Sequence, residues 1–241
     1  MRLHRFYVLQ PLGEEVVIED VSTIKQWLKV FRYRSGDFVI LFNGDGNDYI
    51  YRLNHASPSS CTLFLTEKKS AYIPQRKSYL FLTLIKKDLF ELVVEKSVEL
   101  GVTDIIPMIT ERTEKKKLSE ERLTSIIKES TEQSGRGDIL TLHPQKTLKE
   151  IPQLLEELEI PKENVYPATL LGKNLQEILA EKTSAVKNMS PLVFLVGPEG
   201  GWTDNEEKLF KESGFSCISL GKTVLRAETA GITCALLSDL L

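Results

Sequence analysis

Apolar positions along this chain change their period near residue 75. From Met1 to about Ser70 they fall in short runs of the kind that make strands, separated by turn chemistry. Phe38 to Phe42, then Asn43-Gly44-Asp45-Gly46, then Tyr49 to Leu53 reads as a hairpin, because asparagine and glycine tolerate the backbone a tight turn requires. One stretch has helical spacing instead: between about Val21 and Arg32, Ile24, Trp27, Leu28 and Phe31 recur on one face while Lys25 and Lys29 face away. A small β-barrel, plugged or flanked by that helix, is the expected outcome. The polar stretch Glu67 to Lys77, with Pro74 inside it, marks the boundary, so the modules are placed at 1–72 and 73–241.

Beyond the boundary, Tyr79 to Ile85 is a continuous apolar strand, Asp88 to Leu100 a helix stopped by Gly101, and Asp104 to Ile109 a strand again. Strand, helix, strand is a βαβ unit, which requires a parallel sheet covered by helices. Further helices are predicted at about Ser119 to Gln133, Leu148 to Leu158, Asn174 to Glu181, Asp204 to Ser213 and Glu228 to Leu240, and strands at Pro191 to Val196 and Cys217 to Leu220. The fold class is α/β.

With 241 residues and 41% hydrophobic content, the chain can bury one large core or two modest ones, which excludes disordered and fibrous classes. The net charge of -3 means that binding to a polyanion needs a local basic face. Arg2, His4, Arg5, Arg32 and Arg34 are the candidates on the barrel, and Lys115-Lys116-Lys117 is a charge run in an exposed loop. Cys61, Cys217 and Cys234 are widely spaced with no C-x-x-C pair, which argues against a disulfide framework or a zinc site and for a reducing compartment. No metal is expected. The N-terminus lacks the apolar core of a signal peptide and no segment is long enough to span a bilayer, so a cytoplasmic protein is expected.

The densest chemical signal is 195–206, where Leu195-Val196 ends a buried strand, Gly197-Pro198-Glu199-Gly200-Gly201-Trp202 turns, and Thr203 with Glu206 caps a helix. Glycines let a backbone approach a ligand without obstruction, and ligands of open α/β sheets sit at the carboxyl ends of strands. A second string, Leu220-Gly221-Lys222-Thr223-Val224-Leu225-Arg226-Ala227-Glu228-Thr229-Ala230, again follows a strand and enters a helix. Gly221-Lys222-Thr223 ends like a phosphate-binding loop, but that pattern needs glycine where Ser216 stands, and there is no G-x-G-x-x-G for a dinucleotide. Two strand-end loops could instead clasp one small cofactor between them.

These strings, with Arg2-Leu3-His4-Arg5-Phe6, Glu99-Leu100-Gly101-Val102 and Glu132-Gln133-Ser134-Gly135-Arg136, resemble the ribosomal small-subunit methyltransferase E family of the SPOUT superfamily. The resemblance covers the whole chain, departs at Ala227, where the family often has threonine, and is looser over Tyr166 to Lys173. It implies an N-terminal PUA-like β-barrel for RNA and a C-terminal α/β domain with a trefoil knot. It further implies S-adenosylmethionine-dependent methylation of uridine N3 in 16S rRNA of the small ribosomal subunit, by a homodimer. On that basis Thr169, Gly197, Glu199, Gly200, Leu220, Leu225 and Thr229 would hold the cofactor, and Arg226, Glu228 and Arg136 would serve the reaction. Arg2, Arg5, Arg32, Arg34 and Gln133 would meet RNA. Glu199 and Glu228 are alternative general bases, and each has an equally good structural reading, Glu228 at a helix N-terminus. Other outcomes compatible with these residues are a relative acting on another RNA or a ribose 2′-hydroxyl, and an RNA-binding module without activity.

Overall fold

The computed structural model describes residues 3–114, 117–178 and 190–241. Arg2, Lys115, Lys116 and the end of the expected helix at Asn174 to Glu181 lie outside them. The chain divides into two compact units, Met1–Ile73 with Thr131–Ile139, and Pro74–Ser130 with Leu140–Leu241.

In the first unit, strands β1 (Arg5–Tyr7), β2 (Glu15–Ile18), β3 (Phe38–Phe42), β4 (Asn47–Ala56) and β5 (Cys61–Ser70) form one sheet in the order β1-β3-β4-β5-β2. The hairpin β3–β4 is present, with Val39 opposite Tyr51. β1 and β2 are the edges, so the sheet is open where a closed barrel was expected. It curls nevertheless, since Phe6 of one edge strand and Val16 and Ile18 of the other lie in a single core cluster with Trp27, Leu41 and Tyr51. β5 continues through the charged Glu67, Lys68 and Lys69, because β4 supplies ladder partners as far as Asn47 opposite Ser70. The polar run is therefore strand on its first half and linker on its second.

Helix α1 (Val21–Lys25) is capped by Asp20, whose carboxylate accepts from Thr23 N at 2.7 Å. It then widens into a π turn over Gln26–Phe31 and stops at Arg32, whose backbone is left-handed at φ 56. The apolar spacing that predicts an α-helix here does not distinguish the wider turn. Its buried side is a ring cluster, with Phe6 edge-on to Trp27 at 5.2 Å and to Phe31 at 5.6 Å.

The second unit holds a seven-stranded sheet of β6 (Ser78–Thr83), β7 (Asp104–Ile109), β8 (Thr141–Leu142), β9 (Lys146–Thr147), β10 (Val165–Asn174), β11 (Leu192–Val196) and β12 (Ile218–Ser219). The order is β12-β10-β11-β6-β7-β8, with β9 also on β7, and every pairing is parallel. β6 and β11 are buried at every position, as expected of central strands covered on both faces. The helices are α2 (Lys87–Glu99), α3 (Glu120–Ser134, whose last turn counts with the first unit), α4 (Ile151–Glu157), α5 (Asp204–Ser213) and α6 (Ala227–Leu240). α6 packs on α2, β6 and β11, and Gly231 makes the close approach possible: a Cβ there would lie 2.9 Å from Val93 Cγ1.

Candidate active site

β12, β10 and β11 are adjacent and parallel, so their carboxyl ends open on the same edge of the sheet. Three chain segments emerge there. In β10, Ala168 and Lys173 both pair with Ile218, so the intervening residues, Thr169 to Gly172, bulge out of the ladder. Leu171 is consequently 90% exposed, while Gly172 is pressed on β12, where a Cβ would come within 2.5 Å of the Ile218 backbone.

The second segment, 197–203, is fixed from several sides. Thr83 Oγ1 donates to Val196 O at 2.8 Å, and Trp202 Nε1 donates to Ala168 O at 2.7 Å, which ties this turn to β10. The indole packs beside Gly197 and edge-on to Phe210 at 4.9 Å. The expected capping box is formed, with Thr203 and Glu206 exchanging bonds. Sequence reasoning missed Arg112, whose Nη1 donates to Gly200 O at 2.7 Å and Trp202 O at 3.0 Å, and its neighbour Glu111, whose backbone N–H donates to Glu206 Oε1 at 2.9 Å. A lone arginine 88 residues from its partner leaves no local signal.

The third segment, 220–226, is exposed at Gly221, Lys222, Thr223 and Val224. A Cβ on Gly221 would meet nothing within 4 Å, so space is open at this turn. Arg226 is the N-cap residue of α6, with its side chain 86% exposed and Nη1 at 4.0 Å from Glu228 Oε1; Glu228 is only 13% exposed. Thr169, Gly197, Leu220 and Leu225 are half-buried along this edge, while Glu199, Gly200 and Thr229 are exposed. Glu199 Oε1 accepts from Lys86 N at 3.3 Å, at the start of α2. Burial pushes the Cys217 thiol above its ordinary pKa, with Glu207 adding to the effect, and burial alone does the same at Cys234, so neither is a ready thiolate.

Residues 73–238 match the model of an RNA methyltransferase domain, and residues 28–66 that of an RNA methyltransferase PUA domain. A ribosomal RNA small subunit methyltransferase E of Rickettsia conorii is 31% identical over 236 residues, which cover 97% of this chain and 93% of that protein. The chain belongs to the ribosomal RNA small subunit methyltransferase E family. Among solved structures of similar proteins, a ribosomal RNA small subunit methyltransferase E from Neisseria gonorrhoeae, bound to S-adenosyl methionine, shares 27% identity and a TM-score of 0.82, covering 98% of this chain and 96% of that one. A putative methyltransferase from Legionella pneumophila, in complex with the cofactor SAM, shares 26% identity and a TM-score of 0.82, with 98% and 97% covered. The methyltransferase E architecture is thus a PUA-like unit joined to an α/β methyltransferase unit, and the 73–238 match takes in all three strand-end segments.

The arginines expected at the RNA in this family member are placed very differently from one another. Arg5, 9% exposed, is bidentate on Asp48, with Nη2 to Oδ1 at 2.6 Å; it also donates to Thr131 O and Arg136 O and lies over the Phe42 ring at 4.1 Å. Arg136, expected to serve the reaction, is 2% exposed and bidentate on Asp138, at 2.8 and 2.7 Å. Enclosure and a fully engaged fork make both of them scaffold residues of the first unit. Arg32, Arg34 and Gln133 are exposed; Arg2 lies outside the described residues.

Proposed function

We propose that the protein transfers a methyl group from S-adenosylmethionine to N3 of a uridine in 16S rRNA of the small ribosomal subunit. The observation that carries this reading is the convergence of three loops at the carboxyl ends of adjacent parallel strands in a chain of this family. When bound, the cofactor supplies an electrophilic methyl on a sulfonium. The residues present fit such a molecule: Thr169, Gly197, Glu199, Gly200, Leu220, Leu225 and Thr229 lie on these segments, and the open turn at Gly221 leaves a cradle that a side chain would fill. Held in register, two reactants can gain about 7 to 11 kcal/mol from orientation alone, and Arg112 and Trp202 hold the turn that would orient the cofactor.

The chain's own chemistry is proton removal and charge compensation. Glu228 beside Arg226 is the pair we assign to it: the carboxylate accepts the N3 proton, and the exposed guanidinium faces the negative charge that develops on the uracil. Glu199 is engaged at the start of α2, which favours Glu228 as the base. In this reading 1–72 binds RNA, through Arg32 and Arg34 on its surface and with Arg2 and Arg5 in the same module, Gln133 joins them from the segment Thr131–Ile139, and the rest of 73–241 carries the transfer. β12 comes late in the chain yet sits outside β10, and α6 then returns to β6 and β11; that path supports a trefoil knot. A homodimer, which the family resemblance implies, completes this reading. Among the described residues no helix is long and apolar enough to cross a membrane. An rRNA substrate would put the reaction in the cytoplasm.

The test is transfer of labelled methyl to unmodified 16S rRNA and to small subunits, followed by nucleoside mass spectrometry. 3-Methyluridine is expected. A 2′-O-methylated nucleoside, or label only in another RNA, would replace this target.

A further inference from the structure

Within the first unit a hollow is lined by His4 and Arg5 of the N-terminal strand region, Gln26 and Phe31 of the π turn, and Glu132 and Gln133. We infer that this hollow receives one unpaired base of the RNA. The inference rests on the rRNA reading above and assigns a base-binding site to residues that the transfer chemistry does not use.

Three observations converge on it. First, the hollow combines rings with amide and carboxylate edges, the two things a splayed-out base requires. The rings adjoin one another: His4 lies 4.3 Å from Phe31 at a tilt of 42°, and Phe31 lies 5.5 Å from Tyr33, nearly parallel at 15°. His4, at the outer end, is exposed and can stack on a base. The Tyr33 hydroxyl, pushed up to about 12 by burial and then by Asp37, stays neutral at any working pH. Second, the lining is held before any ligand arrives. Arg5 joins β1 to Thr131 O and Arg136 O, and Tyr7 N donates to Glu132 Oε1 at 2.9 Å, so Glu132 and Gln133 are fixed against β1. Third, the backbone beside the hollow is unusual. A π turn and a left-handed arginine are both costly local choices that cluster at functional sites. They set Arg32 and Arg34 at the end of a stretch, Val21 to Gly36, that carries Lys25, Lys29, Arg32 and Arg34 and no acidic residue. All four cations are exposed, which is the complement a phosphate backbone seeks.

The inference separates base contacts from phosphate contacts, and salt dependence reads the difference. Unmodified small-subunit rRNA transcribed with 4-thiouridine is photo-crosslinked to the full-length protein and the adducts mapped, and affinities of wild type, His4→Ala, Gln133→Ala and Arg34→Ala are measured across salt concentrations. Adducts are expected on peptides carrying His4, Phe31 or Gln133. His4→Ala should weaken binding by about 5- to 150-fold, the range for one lost base stack, with the salt slope unchanged. Arg34→Ala should lower that slope by about one. Gln133→Lys, which adds charge but removes the amide, should fail to restore affinity if edges are read. Wild-type affinity in both His4→Ala and Gln133→Ala, or adducts confined to other peptides, would overturn the inference; a protein rather than RNA occupant would give this second result. The two readings fail separately. Crosslinks at His4 without 3-methyluridine sink the proposed product and leave the hollow, whereas full transfer with an unchanged rRNA KM in His4→Ala sinks the hollow and leaves the product.

Discussion

Arg5 and Arg136 of the first unit do work opposite to that of Arg226 in the second. In the first, Arg5 and Arg136 point inward, each bidentate on an aspartate, and Arg5 also holds two backbone carbonyls. In the second, Arg226 stands almost wholly in solvent at the start of α6, and Arg112 grips a glycine-rich turn from the outside. The residue type is the same, and burial decides whether its fork is committed to internal partners or left at the surface. An enclosed guanidinium with its fork occupied cannot exchange partners for a phosphate without leaving a carboxylate unpaired. An exposed one keeps that freedom and contributes little to stability.

The widest stability difference should come from a position where side-chain adjustment is impossible. Gly172→Ala would push a Cβ to 2.5 Å from backbone atoms of Ile218, so β10 and β12 must part; a loss of about 3 kcal/mol or more is expected in urea denaturation. Arg5→Ala comes next, at about 3 kcal/mol, because Asp48 and two carbonyls lose their donor, and Arg5→Lys should recover less than half, having no fork to replace it. Trp202→Phe keeps most of the packing on Phe210 and removes the bond to Ala168 O, for about 1 kcal/mol by the same measurement. Arg226→Ala is the opposite extreme. Its stability should stay within about 0.5 kcal/mol of wild type while methyl transfer falls about 100-fold, and equal losses of stability in Arg226→Ala and Arg5→Ala would erase the contrast between the units.

Alkaline pH sharpens the same picture. Burial holds Tyr33 and Tyr51 at about 12 against an ordinary 10.0, with Asp37 adding at Tyr33 and Tyr49 at Tyr51. Their folded pKa values are raised, so their contribution is complete below pH 10, where both states are protonated, and is lost as pH climbs through 12. Stability of the first unit should therefore fall between pH 10 and 12, with the Tyr33 and Tyr51 phenolates, followed by NMR of labelled tyrosine rings assigned through Tyr33→Phe and Tyr51→Phe, forming only well above pH 10. Ring signals of these two tyrosines that titrate near 10 in the folded protein would contradict their burial.

Much of the second unit was legible in sequence because its rules are local. Continuous apolar runs gave β6 and β11, Gly101 ended α2, and Thr203 with Glu206 announced the start of α5. The bulge at Thr169 to Gly172 was not legible, since it arises where Ala168 and Lys173 compete for one partner, Ile218, which lies 45 residues further along from Lys173. In the first unit the hairpin was visible and the fate of Arg5 was not. Its acceptors are 43, 126 and 131 residues away, and a basic N-terminal string reads equally well as an RNA contact or as a cross-chain clamp. The π turn likewise shares its apolar spacing with an ordinary helix.

In the proposed reading the three strand ends hold the cofactor, and a side chain added at Gly221 would stand in its way. No protein atom lies within 4 Å of a Cβ built there, so Gly221→Val should fold as wild type and obstruct only a ligand in the open turn. Calorimetric titration of S-adenosylmethionine into both proteins is the measurement. An unchanged melting temperature with at least a 100-fold loss of affinity is the result this account expects; S-adenosylmethionine bound equally well by Gly221→Val and wild type would contradict it.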